Sequence, residues 1–105
     1  GLDRLSLGRS TECGISLDWD AEVSRFHAEL QRVGSLWLIV DDGLSRNGTF
    51  ANGERVPGRR RLHDGDQVEV GATIAVDRFR SSDWRTTAYR RPGCSWPTPL
   101  GTLKR

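Results

Sequence analysis

No apolar run in the chain approaches the ~20 consecutive residues that a helical membrane span needs, and no basic-then-apolar leader opens it. The first residue is Gly rather than Met, so the sequence is expected to be an excised or processed piece whose native N-terminus is missing. Cysteine is scarce: Cys13 and Cys94 lie far apart, and there is no CxxC. Two such residues neither define a disulfide framework nor exclude a single bridge. Free thiols in a reducing compartment are the simpler reading, and a cytoplasmic location follows. Histidine is equally scarce. Neither His27 nor His63 has a nucleophile elbow, a second His at metal spacing or a carboxylate pair beside it. Asp64 and Asp66 lack the remaining ligands of a calcium loop. The expectation is therefore no catalytic residue, no metal and no cofactor. An apolar pattern of helical period is missing as well.

Glycine is abundant, with 12 residues against a hydrophobic share of 35% in 105 residues, which is enough for one core and not for two. The glycines punctuate short strand-like stretches. Leu5 and Leu7 share a face in RLSL (4–7), and AELQRV (28–33) alternates imperfectly. LWLIVD (36–41) reads as a strand buried on both faces. QVEV (67–70) and TIAVDRF (73–79) are rich in β-branched and aromatic residues. Turn dipeptides separate them, among them Asp42-Gly43, Asn47-Gly48, Asn52-Gly53, Pro57-Gly58 and Asp64-Gly65. This density of turns predicts an all-β, antiparallel sandwich or barrel over residues 1–80. Beyond Phe79 three of the four prolines fall among scattered aromatics, so residues 81–105 read as an irregular tail, with Trp84, Tyr89 and Trp96 available to pack back.

Charge is uneven. Residues 1–80 hold 11 Arg and 13 Asp or Glu, a net −2, whereas residues 81–105 carry five basic groups and Asp83, a net +4. A near-neutral body with a basic tail is not the broad basic face that nucleic acid requires. Arg59-Arg60-Arg61 reads as a solvated loop after Pro57-Gly58.

Three loops concentrate groups suited to an anion. LGRS (7–10) places the planar donor fork of Arg9 after a glycine. EVSRFHAEL (22–30) offers the Ser24 hydroxyl beside Arg25. SRNGTFANG (45–53) packs two Asn-Gly turns around three residues and turns Arg46 and Asn47 outward. Arginines, a hydroxyl and exposed N–H groups are what a phosphate dianion needs.

Gly8-Arg9, then Ser24-Arg25-Phe26-His27, then Ser45-Arg46-Asn47-Gly48-Thr49, then Asn52-Gly53 resembles the forkhead-associated (FHA) domain family. LHDGDQVEVG (62–71) is similar to that family's approach to its late strands, so the resemblance spans about residues 5–79. It implies an antiparallel β-sandwich whose loops bind phosphothreonine in a partner protein, as a non-catalytic adaptor for Ser/Thr-kinase signalling. By position, Arg9 and Ser24 would contact phosphate, Arg25 and Arg46 would flank the peptide, and Asn47 would hold its backbone. Gly8, His27, Gly48, Thr49, Asn52 and Gly53 would shape and brace the loops. The family usually has a further strand before Gly-Arg; with seven residues before Gly8, the expectation is either a truncated piece that lacks this strand or a sandwich with an unpaired edge, which the basic, aromatic tail would cover. Two rival readings remain: a scaffold of the same fold that ignores phosphorylation, and nucleic-acid binding through the basic tail. No nucleic acid and no membrane are expected as partners.

Overall fold

The computed structural model describes residues 3–43, 45–80, 83–90 and 101–104. Eleven strands are described: β1 (Asp3–Gly8), β2 (Ile15–Ser16), β3 (Ala28–Val33), β4 (Leu36–Val40), β5 (Thr49–Ala51), β6 (Glu54–Arg55), β7 (Arg59–Leu62), β8 (Gln67–Val70), β9 (Thr73–Arg80), β10 (Asp83–Arg90) and β11 (Gly101–Lys104). They form two sheets, one of five strands in the order β2-β1-β3-β4-β7 and one of six in the order β11-β10-β9-β8-β5-β6. The all-β sandwich expected from the turn spacing is what forms. The antiparallel rule has one exception among the described residues: β2 runs parallel to β1, pairing only Leu7 with Ile15 and Gly8 with Ser16. A pairing this short lets residues 9–14 make the crossover without a helix.

Strand alternation puts Leu30, Trp37, Ile39 and Leu62 of one sheet against Ala51, Val68 and Val70 of the other, with Leu7, Leu17, Val23 and Val56 completing the core. Trp37 stacks on Phe79 across the sheets, ring centroids 5.5 Å apart at 23°. β4 departs from expectation. Trp37 and Ile39 are buried, but Leu38 and Val40 are half-buried on the outer face, so its apolar run covers one full face and one partial face. Arg59–Leu62 is also not a loop. It forms β7 because Leu62 supplies an inward anchor opposite Trp37, and alternation then fixes the three arginines.

The tail expectation is corrected too. Residues 83–90 form β10, antiparallel to β9 in register from Asp83–Arg80 to Arg90–Thr73, and residues 101–104 pair with β10. The sequence DWRTTAYR carries a period-two pattern in which Thr86 and Ala88 are buried while Arg85 and Tyr89 are exposed. Its small and β-branched inward residues escape an apolar search. The edge of β9, otherwise open, supplies the backbone partners that make this stretch a strand. Trp96 and Cys94 fall outside the described residues.

Ala88 is fully buried opposite Ala75, so Ala88→Glu places a carboxylate inside the sheet contact. The expected result is a loss of about 3 kcal/mol in urea unfolding; an unchanged midpoint would show that β10 contributes nothing to the fold.

Candidate functional site

The three anion-suited loops meet at one end of the sandwich, where β1 ends, β3 begins and β4 passes to β5. Main-chain bonds lock the first two together. Arg9 N–H donates to the Ser24 carbonyl at 3.0 Å, Ser10 N–H to that of Arg25 at 3.1 Å, and His27 N–H to that of Leu7 at 2.8 Å. The approach is close enough to require glycine at position 8: a Cβ there would lie 2.2 Å from the Arg25 carbonyl oxygen. The Cys13 thiol, free and buried, donates to the same oxygen at 3.3 Å.

His27 joins the second loop to the third. It is fully buried, and its Nδ1 accepts the Ser24 N–H at 3.1 Å while Nε2 donates to the Gly48 carbonyl at 2.9 Å. Accepting at Nδ1 leaves the ring proton on Nε2, so the two contacts fix one tautomer. Further ties follow between these loops. The Ser24 hydroxyl oxygen accepts the Arg46 N–H at 2.8 Å, and Asn47 Nδ2 donates to the Glu22 carbonyl at 2.9 Å.

Arg9 Nε donates to the Val23 carbonyl at 3.1 Å, which fixes the plane of the guanidinium and leaves its two Nη groups uncommitted among the described residues. Ser24 keeps its hydroxyl proton in the same sense. Arg25, Arg46 and Asn47 are exposed. The five residues expected to meet a phosphopeptide therefore lie on contiguous loops, and the six expected to brace them divide into two groups. Gly8, His27, Gly48 and Thr49 sit within or beneath the loops. Asn52 and Gly53 lie at the far end of β5, in the hairpin turn to β6, with φ of +50° and +84°. Asn52 Oδ1 accepts the Gln67 N–H at 2.9 Å and Nδ2 donates to Asp66 at 3.1 Å, so this residue fastens β5 to β8 rather than touching the loop end.

Two acids carry weight that the sequence reading missed. Asp41 accepts from the Thr49 hydroxyl at 2.8 Å, the Gly43 N–H at 3.0 Å and the Ser45 hydroxyl, thereby shaping the loop that presents Arg46 and Asn47. Burial works to raise its pKa, but the hydrogen bonds from Ser45, Thr49 and Gly43 prevail and hold the carboxyl below the ordinary aspartate range. Asp-x-Gly is an Asx-turn pattern, so a closer reading of Asp41-Asp42-Gly43 would have found it. Asp20 is 1% exposed and accepts from the Ala72 N–H, the Thr73 hydroxyl and the Glu22 N–H at 2.7–3.0 Å, pinning the Ser24 loop to the β8–β9 turn. Its donors lie mostly more than fifty residues away, beyond any local signal. An open cavity of about 400 Å³ lies between the 41–43 stretch and the β6–β7 turn, lined by Asp41, Asp42, Arg55 and Pro57 among others. Among the described residues no group of three or more His, Cys, Asp or Glu converges as metal ligands would.

The family model described as FHA domain matches residues 5–71, from within β1 to the turn after β8. The chain belongs to the FHA domain family. A solved structure from a structural and functional study of phosphothreonine-dependent FHA domain interactions superposes with a TM-score of 0.68 at 31% identity, over 73% of this chain and 77% of that one. The FHA-2 domain of the Mycobacterium tuberculosis ABC transporter Rv1747 gives 0.63 at 34% identity, over 87% of this chain and 76% of its own. An oxoglutarate dehydrogenase inhibitor of Corynebacterium jeikeium (strain K411) is 42% identical over 64 residues, which is 61% of this chain and 42% of that protein. The chain thus matches less than half the length of that relative.

Because the folded-state pKa of Asp41 is depressed, its stabilising contribution is fully present above the ordinary aspartate pKa of about 4 and is lost as pH falls through the lower folded value. Asp41→Asn is therefore expected to be less stable than the parent by about 1–3 kcal/mol at neutral pH, with the gap closing below about pH 4. Denaturant titrations at a series of pH values measure this; a gap independent of pH would remove the carboxylate from the account.

Proposed function

We propose that this FHA domain is a phosphothreonine-peptide-binding module that acts as a non-catalytic adaptor in cytoplasmic Ser/Thr-kinase signalling. The observation that carries the reading is the pairing of Arg9 with Ser24. Two backbone-locked loops hold a guanidinium with free Nη donors beside a hydroxyl with a free proton. A phosphothreonine brings roughly −1.5 to −2 charges and three acceptor oxygens. Each hydrogen bond to such a group is worth about 1.5–3 kcal/mol, so Arg9 and Ser24 together supply the discrimination against unmodified threonine. Arg25 and Arg46 add positive potential on either side. Asn47 spends one N–H on the Glu22 carbonyl and keeps the other, together with Oδ1, for a peptide backbone.

The similar structure studied for phosphothreonine-dependent FHA interactions supports the same ligand class. The likeness to an oxoglutarate dehydrogenase inhibitor agrees with a role in regulation through binding rather than catalysis. No helix among the described residues is long and apolar enough to cross a membrane.

Calorimetric titration of a phosphothreonine peptide against its unmodified twin tests the proposal. The phosphorylated peptide is expected to bind, and Arg9→Ala to weaken it by about tenfold to a hundredfold. Equal affinities for the two peptides would overturn phosphate reading and leave a scaffold of the same fold. The two Asn-Gly turns give a second test. Asn47→Ala is expected to reduce peptide affinity with little change in melting. Asn52→Ala, which forces alanine to φ +50° and removes the acceptor for Gln67, is expected to cost about 2 kcal/mol of stability first.

A further inference from the structure

Arg59, Arg60 and Arg61 stand consecutively on β7, the outermost strand of the five-stranded sheet. Among the described residues β7 pairs only with β4, so its other side presents main-chain N–H and C=O groups that no described strand meets. Alternation along the strand separates the three arginines. Arg60 lies opposite Ile39, half-buried, and its Nη1 donates to the Ala51 carbonyl at 3.2 Å, clamping the edge of one sheet to the other. Arg59 and Arg61 lie opposite Val40 and Leu38 and are exposed, and their side chains make no hydrogen bond or ion pair with any described residue.

Among the described residues no acid pairs with either side chain. The acid in the same cross-strand row as Arg59 is Glu29, on the far side of Val40, and it is held by Arg4 at 3.7 Å and by Gln31 at 2.6 Å. Between lie the half-buried Leu38 and Val40, continuing to Leu36 and Val33, which are 37% and 48% exposed at the β3–β4 turn. An open strand edge, two uncommitted guanidiniums on one face and an apolar strip beside them form one continuous surface.

We propose that the open edge of β7 docks an extended, acidic segment of a partner protein, which adds to the sheet as a strand. The pattern demanded of that segment follows from the pleat. Arg59 and Arg61 are two residues apart on the same face, about 7 Å along the strand, so the segment sets carboxylates at alternate positions. The residue between them faces the Arg60 side, where the clamp leaves little room. Main-chain bonds supply affinity and the acid-x-acid pattern supplies register. Arginines that merely protected the edge from self-association would favour no such pattern. The surface is independent of the phosphate reading, since neither Arg59 nor Arg61 belongs to that site.

The test uses the full chain, isotope-labelled for amide NMR, with three probes: a short peptide of alternating Glu and Thr, a peptide of the same composition with its Glu residues in one block, and a single-stranded oligonucleotide. The alternating peptide is expected to saturate, to shift and protect amides within residues 59–62, and to bind about tenfold more tightly than the block peptide. The double variant Arg59→Gln/Arg61→Gln is expected to lose about tenfold in affinity for the alternating peptide, with its melting temperature and phosphopeptide titration unchanged. Arg60→Gln is expected to lower the melting temperature instead. Equal binding of the two peptides, tighter binding of the oligonucleotide at the same amides, or undiminished affinity in the double variant would each overturn the proposal.

Discussion

One buried imidazole sets the geometry of the loop end of the sandwich. His27 has no access to water, so each ring nitrogen must find its partner within the protein. It takes the Ser24 N–H on one side and gives its proton to the Gly48 carbonyl on the other. Those partners belong to the two loops that carry Ser24 and Asn47. The imidazole therefore acts as a spacer of fixed length between them. Gly8 supplies the matching constraint on the first loop, where only a missing Cβ allows the Arg25 carbonyl to approach. With both in place, Arg9, Ser24 and Asn47 have few ways to move relative to one another, and little ordering is left to be done when a ligand arrives.

Buried carboxylates continue the same construction outward. Asp41 gathers Ser45, Thr49 and Gly43, and Asp20 gathers Glu22, Ala72 and Thr73. Negative charge is thus placed under the loops and spent on main-chain and hydroxyl donors. Among the described residues the arginines above it keep donors available: Arg9 keeps its Nη groups, and Arg25 and Arg46 are exposed. That separation explains how a body with more acids than arginines still offers a cationic end to an anion. The same principle operates on β7, where alternation makes one arginine structural and leaves two facing solvent.

Legibility in the sequence followed the range of the interactions. Strands β3, β8 and β9 were readable because period-two patterning and flanking turn residues are local. The Asn52-Gly53 hairpin was readable because both residues accept positive φ. β10 was not, since its inward residues are Thr86 and Ala88, which look like strand only when β9 lies alongside. β7 was hidden for a related reason: three arginines mask a strand whose single anchor is Leu62. At the site, the order of motifs singled out five residues that the fold gathers on neighbouring loops, whereas Asp20 was invisible because most of its donors come from the β8–β9 turn.

Sequence by itself determined the class of fold, the positions of the turns and the presence of residue types suited to an anion, because these depend on backbone propensity and side-chain chemistry within a few positions. Tertiary structure decided which groups remain available. Whether Arg60 or Arg61 is free, whether Asn47 still has an amide proton to offer, and whether residues 83–90 are tail or strand depend on what lies across a sheet or beneath a loop. Those neighbours are far apart in the chain. Burial is what makes each such contact obligatory, since a polar group or strand edge removed from water must find a partner.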